Sequence, residues 1–245
     1  MNFGYYLFSI LAVLIALAIH EYSHAYAAYK LGDNTAKNLG RLTLNPLKHI
    51  DPVGALCMLI FHIGWAKPVP INARNFKDPK KGFAITALAG PAINITLAFL
   101  SALIYKIIVV SLRDVLFVPG SFSLKFWENL LLFVFLFHSI NLGLGLFNLL
   151  PFPPFDGSRI LHVVLPSKVY FGIMKYERKI YFFVLGWLLL GDYVATFFRM
   201  MPFVSSSPVL YSLAGIFSLS DILSVVISAV SNLMFSFWEL FPILR

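Results

Sequence analysis

Apolar residues run almost without interruption from Phe3 to Ile19, and comparable runs recur at Phe83 to Val110, Leu130 to Leu150, Ile180 to Phe198 and Ile222 to Trp238. Runs of roughly 18 or more apolar residues are long enough for a helix to cross the hydrocarbon of a bilayer. The pattern predicts an all-α polytopic membrane protein with about five spans. It forms a single membrane-embedded domain over 1–245, with C-terminal spans from about 166 onward.

Between the first two runs the pattern changes. The segment Lys30 to Lys81 is rich in Gly, Pro and Asn and too interrupted for a long helix. Within it, Gly54 to Trp65 is apolar but short, which suits a re-entrant hairpin or a short β-like segment following the first span. The next stretch, Lys67-Pro68-Val69-Pro70-Ile71-Asn72, is extended by its prolines, and proline in a strand belongs on an edge. Such an edge can accept a peptide as an added strand, which makes Pro68, Val69, Pro70, Ile71 and Asn72 candidate substrate contacts. A rigid connector is the other reading. His49 and His62 read as polar loop or hairpin residues.

Polar positions inside the apolar runs carry the chemistry, because ionisable groups at hydrocarbon depth are costly and mark functional sites by default. The first run ends in His20-Glu21-Tyr22-Ser23-His24. Residues four apart are neighbours on a helix, so both imidazoles can reach one metal ion, and Glu21 sits beside it to take a proton from water. The second run contains Gly90-Pro91, which kinks the helix and admits a close neighbour, and Asn94, which must face the bundle. Asn94 could bind substrate backbone or another helix. In the third run His138, Asn141, Gly145 and Asn148 recur at steps of three, four and three, drawing one polar stripe. His138 lies toward the outer side and reads as an interior hydrogen-bonding group. The turn Pro151-Phe152-Pro153-Pro154-Phe155-Asp156-Gly157 presents one carboxylate at the depth of the two histidines. Asp156 is thus a candidate third ligand, leaving a fourth position for water, or else a turn former before glycine.

Composition agrees with the membrane reading: 59% of residues are hydrophobic and 12% charged, with a mean hydropathy of +0.82. The net charge of +8 could suggest nucleic acid. Nine of the nineteen Lys and Arg residues, however, lie between Lys30 and Lys81, and Arg159, Lys168, Lys175, Arg178 and Lys179 form a second group. Basic residues flanking spans set orientation, so no nucleic acid is expected; the N-terminus lies outside and these loops are cytoplasmic. Ala25-Tyr26-Ala27 looks like a signal-peptide cleavage site, but no basic residue precedes the apolar run. The single cysteine, Cys57, cannot form an internal disulfide.

Three signatures in succession, His20-Glu21-x-x-His24, Gly90-x-x-x-Asn94 and Asn148-Leu-Leu-Pro-Phe-Pro-Pro-Phe-Asp156-Gly157, resemble those of the site-2 protease family of intramembrane zinc metalloproteases. Gly40-Arg41-Leu42-Thr43-Leu44-Asn45-Pro46, His49-Ile50-Asp51-Pro52 and Ala66 to Asn72 are similar to its compact prokaryotic members, without PDZ or CBS domains. The resemblance spans about 18 to 165. It implies a three-helix catalytic core over about 1–165, one Zn2+ held by His20, His24 and Asp156, and Glu21 as general base. It also implies cleavage of single-span membrane proteins near the cytoplasmic face, in regulated intramembrane proteolysis, with Asn148 joining Asn94 as a candidate substrate contact. Two other classes use the same residues. A zinc transporter would need no base at Glu21 and usually carries internal repeats, which are not evident here. A non-catalytic protein could grip membrane helices without cutting them.

Overall fold

The computed structural model describes residues 3–61 and 65–244. Its helices, in chain order, are α1 (Phe3–Lys30), α2 (Thr35–Asn38), α3 (Pro52–Phe61), α4 (Pro79–Ser111), α5 (Phe122–Asn148), α6 (Asp156–Val164), α7 (Ser167–Met174), α8 (Glu177–Arg199), α9 (Pro202–Ser205), α10 (Pro208–Leu213) and α11 (Leu219–Trp238). Five of these, α1, α4, α5, α8 and α11, are long and apolar enough to cross a membrane. The protein is an all-α polytopic membrane protein.

Local chemistry sets the helix starts. Asp78 caps α4 by accepting the amides of Lys80 and Lys81 at 3.1 and 3.0 Å, with Pro79 occupying the first turn where its missing N–H is harmless. Ser121 and Ser218 cap α5 and α11 by accepting the amides of Leu124 and Asp221.

The core is the mutual packing of α1, α4 and α5. Along α1, Ala12, Ala16, His20, His24 and Ala28 recur every fourth residue and all are buried. Along α4, Gly82, Thr86, Gly90, Asn94, Ala98 and Ala102 do the same. Two stripes of small residues at this period let helix backbones approach closely, which is how helices associate where lipid supplies no hydrophobic drive. Gly145 of α5 closes the third side: a Cβ there would lie 3.1 Å from the Pro91 carbonyl oxygen and 2.8 Å from Ile95 Cγ1. The helix α11 packs on the α4–α5 pair, with Met234 against Ala98, Ala102 and Leu142. His138 is the polar part of that seam, fully buried, with Nδ1–H donating to the Ala98 carbonyl at 2.8 Å and Nε2 paired with Ser231 Oγ at 2.8 Å.

The connection between α1 and α4 differs from the expected β-like segment. Residues Pro52–Phe61 are helical, and strand pairing among the described residues reduces to one antiparallel bridge, Ile50 with Ala66. The cause is Asp51, whose Oδ1 accepts the Val53 and Gly54 amides at 2.9 and 2.8 Å and so starts a helix that Pro52 favours. Gly54 then packs directly against the Trp65 backbone, where no Cβ would fit. His62 lies outside the described residues. His49 is a loop residue, as expected, and fully buried, and its Nε2 pairs with the Thr43 carbonyl at 2.8 Å.

The Pro68 to Asn72 segment is held to the end of α1 by two side chains. Arg41 Nη2 donates to the Lys67 carbonyl at 2.6 Å. Asp33, fully buried, accepts the Asn72 amide at 2.7 Å through Oδ2 and Asn75 Nδ2 at 2.7 Å through Oδ1, which also takes the Thr35 amide. Val69 meanwhile packs with Ala25 of α1 and Ala36 of α2, flanked by Leu42 and Ile71. Burial alone would raise the Asp33 pKa, but hydrogen bonds from the Thr35 hydroxyl, the Asn72 amide, the Asn75 side chain and the Thr35 amide outweigh it and hold the carboxyl below its ordinary 3.8. A depressed carboxyl stabilises the fold fully above its unfolded value and loses that contribution as pH falls through the folded one. The difference in melting temperature between the wild type and Asp33→Asn should therefore be constant above about pH 5 and shrink below about pH 4. Melting curves across that range check it.

Candidate metal centre

His20 and His24 lie on α1 two turns from its end, and Asp156 is the first residue of α6. The proline-rich turn between α5 and α6 brings them together. Phe155 is buried beneath it, edge-on to Phe147 with ring centres 4.3 Å apart. Ser158 Oγ closes the turn onto the Phe155 carbonyl at 2.7 Å. Gly157 lies so close to the carbonyls of Leu149 and Leu150 that a Cβ would collide with both. The start of α6 is thereby pressed against the end of α5, and Asp156 is aimed at the histidines.

The geometry is tight. Asp156 Oδ2 lies 3.2 Å from His20 Nε2 and 3.2 Å from His24 Nε2, and the two Nε2 atoms are 3.0 Å apart. The tautomers follow from the partners of the other ring nitrogens. His24 Nδ1–H donates to the Thr86 carbonyl at 2.7 Å, an acceptor only. Asn94 donates its Nδ2 to Asn141 Oδ1 at 2.7 Å, so its Oδ1 faces His20 Nδ1 and takes that proton. Both Nε2 atoms are then bare in the neutral imidazoles. Asp156 Oδ2 is itself buried without a hydrogen-bond partner.

Three lone-pair atoms thus converge within 4.8 Å of one another with no donor among them. Such an arrangement is unfavourable until a cation fills it, and two imidazoles plus one carboxylate are the donor set of a hydrolytic zinc with one position open. The residues fit the ion. The partners behind the histidines, a carbonyl and an asparagine, are of the kind that fix ligand tautomer and orientation.

Glu21, between the histidines in sequence, is 8% exposed, and among the described residues its carboxylate has no hydrogen-bond partner. Asn94 is fully buried behind His20, so it faces the bundle as its position requires. Asn148 is half-buried at the end of α5 and donates to the Leu144 carbonyl at 2.9 Å. The Pro68 to Asn72 segment lies against α1 beside the site, with Val69 packed on Ala25, the residue after His24. Asp33, Arg41 and Thr86 escape sequence reasoning. Asp33 carries no local signal, Arg41 stands in the sequence only within the Gly40 to Pro46 signature, with nothing to mark its bond to Lys67, and Thr86 contributes a backbone carbonyl that any residue carries.

A helical, multi-pass scaffold that brings two buried imidazoles and a half-buried carboxylate around one point, with a second carboxylate nearby that has no hydrogen-bond partner among the described residues, defines a membrane-embedded metalloprotease class. Comparison with known proteins agrees. The profile described as peptidase family M50 matches residues 110–190. A Bacillus subtilis (strain 168) protein named, provisionally, zinc metalloprotease YwhC is 40% identical over 187 residues, which is 76% of this chain and 82% of that protein. The similarly named MJ0611 of Methanocaldococcus jannaschii is 34% identical over 65% of this chain and 75% of its own length. Rip2 of Mycolicibacterium smegmatis is 28% identical over 63% of the chain, which spans 56% of that relative. No solved structure matches. The chain belongs to peptidase family M50, the site-2 proteases. It is an intramembrane zinc metalloprotease of compact form.

Gly90 is where this site is most sensitive. A Cβ there would lie 2.6 Å from His24 Cε1 and 2.7 Å from His20 Cε1. Gly90→Ala should lower zinc affinity by at least about tenfold, the lower end of what losing ligand support costs. Helix content by circular dichroism should stay unchanged. Elemental analysis after dialysis measures the zinc, with Gly172→Ala as control, since nothing lies within 4 Å of a Cβ at that position.

Proposed function

We propose that the protein hydrolyses peptide bonds in transmembrane segments of single-span membrane proteins near the cytoplasmic face, in regulated intramembrane proteolysis. His20, His24 and Asp156 hold the zinc and Glu21 is the general base. The whole chain works as one membrane domain, with the catalytic core over about 1–165. The observation that carries this reading is the convergence of the His20, His24 and Asp156 ligand atoms within 4.8 Å of one another, next to Glu21, whose carboxylate has no hydrogen-bond partner among the described residues. Zinc, when bound, supplies Lewis-acid activation of water and of the scissile carbonyl. Glu21 accepts the proton released as water attacks and delivers it to the leaving amine. His20 and His24 keep their Nε2 atoms bare because Asn94 and Thr86 take the Nδ1 protons.

The orientation rests on charge. Nine of nineteen Lys and Arg residues lie between Lys30 and Lys81, and α1 ends there, ten residues from His20, so the site lies near the cytoplasmic edge of the bilayer.

A helical substrate hides its backbone in hydrogen bonds and must unwind before attack. The Pro68 to Asn72 edge is the surface we assign to the unwound strand. In support, the amides of Val69 and Ile71 have no hydrogen-bond partner among the described residues. Alternate backbone groups of a strand point to opposite sides. Pro68 and Pro70 therefore place their missing N–H on the side opposite these free amides.

Two outcomes check the reading. Glu21→Gln should retain zinc while cleavage of single-span peptides in detergent, followed by mass spectrometry, falls roughly 10²–10⁴-fold. Ile71→Pro removes one free amide and should lower kcat/KM on the order of 2–10-fold, the worth of one backbone hydrogen bond, with zinc content unchanged. Undiminished cleavage by Ile71→Pro would place the substrate strand elsewhere.

A further inference from the structure

Length and hydropathy qualify α8 as a span; the contacts at its two ends say where it lies. Three rungs tie α11 to the α4–α5 pair: His138 bridges the Ala98 carbonyl and Ser231, Trp238 Nε1 donates to the Phe99 carbonyl at 3.1 Å, and Lys106 pairs with Glu239. Ala98 to Lys106 and Ser231 to Glu239 are the same eight-residue step, so α11 runs parallel to α4. Both helices therefore begin at the metal-site end, and α5, antiparallel to α4, finishes there.

Now consider the ends of α8. At its start, Glu177 pairs with Arg159 of α6 at 2.8 Å, and Arg159 lies over the ring of Phe83, near the beginning of α4. At its finish, Arg199 pairs with Asp221 at 2.7 Å, in the first turn of α11. Measured from the Ala98–Ser231 rung, Phe83 lies about 22 Å and Asp221 about 15 Å toward the metal-site end, at 1.5 Å per residue. The residues that anchor the two ends of a helix about 34 Å long thus differ in height by only about 8 Å.

We propose that α8 lies in the plane of the membrane at the metal-site end, seated in the headgroup–acyl boundary of that leaflet, and that only α1, α4, α5 and α11 cross among the described helices. Three independent features fit. The uncharged run between Lys179 and Asp192 is about 18 Å of helix, well short of a hydrocarbon core of about 30 Å. Asp192, held by the hydroxyls of Ser218 and Ser220 and paired with no cation among the described residues, would sit inside the hydrocarbon of a spanning α8, but sits at its edge in a horizontal one. Finally, Phe182, Phe183, Leu190, Tyr193 and Phe197 are each more than half exposed on one side of α8, while Lys175, Arg178 and Lys179 cluster at its start, the make-up of an interfacial helix. The chain between α8 and α11 offers no return crossing, since its apolar helical stretch Pro208–Phe217 is ten residues, about 15 Å.

Site-specific labelling tests this independently of catalysis. In a Cys57→Ser background, Lys77→Cys and Asp114→Cys mark the two ends of α4. Each single cysteine is reacted with a membrane-impermeant maleimide from either side of sealed vesicles. Ser206→Cys, in the loop after α8, is expected to label from the side of Lys77→Cys. Leu240→Cys, after α11, is expected to label from the side of Asp114→Cys. Labelling of Leu240→Cys from the Lys77 side, or of Ser206→Cys from the Asp114 side, would overturn the proposal.

Discussion

Contact between the Gly90 backbone and the imidazoles of His20 and His24 is the constraint on which the rest of the structure depends. It exists because small residues recur every fourth position on both α1 and α4, and on each helix the same stripe carries polar groups at the site. The stripe that lets the helices touch and the stripe that presents the candidate metal ligands are one feature. At this separation Thr86 and Asn94 of α4 lie where the Nδ1 protons of α1 need acceptors. A wider helix pair would leave those protons without partners in a medium with no water to supply them.

The proposed third ligand depends on a different close approach. Gly157 lets the first turn of α6 rest on the last carbonyls of α5, so Asp156 reaches the two Nε2 atoms although it lies in another segment of the chain. Beside the metal centre, Asp33 and Arg41 tie the Pro68 to Asn72 segment to the end of α1. The position of the segment proposed to receive substrate is therefore set by the helix that carries two of the proposed ligands and the proposed base.

Much of this was legible in the sequence, for reasons that differ from residue to residue. The spans follow from apolar length, and the histidine pair from a spacing that a helix converts directly into proximity. Asn94 had to face the bundle because lipid would not solvate it, yet its specific partner, His20, is a tertiary fact that no local pattern encodes. The roles of Asp33 and Arg41 were silent because they are hydrogen bonds to backbone groups more than twenty residues away. The expected β-like segment proved to be a helix because Asp51 caps it, a local signal overridden in the reading by the segment's shortness and apolar character. For α8, apolar length sets what the helix is able to do; its ion pairs determine how it sits.

The central claim, that two imidazoles and one carboxylate hold the zinc, is tested most directly by zinc K-edge X-ray absorption on the zinc-loaded protein. The account predicts a first shell of nitrogen and oxygen at about 2.0–2.2 Å with two imidazole outer-shell signatures and no sulfur. One of the light scatterers should change in Asp156→Asn. Sulfur at about 2.3 Å, implicating Cys57, or a third imidazole signature would contradict it.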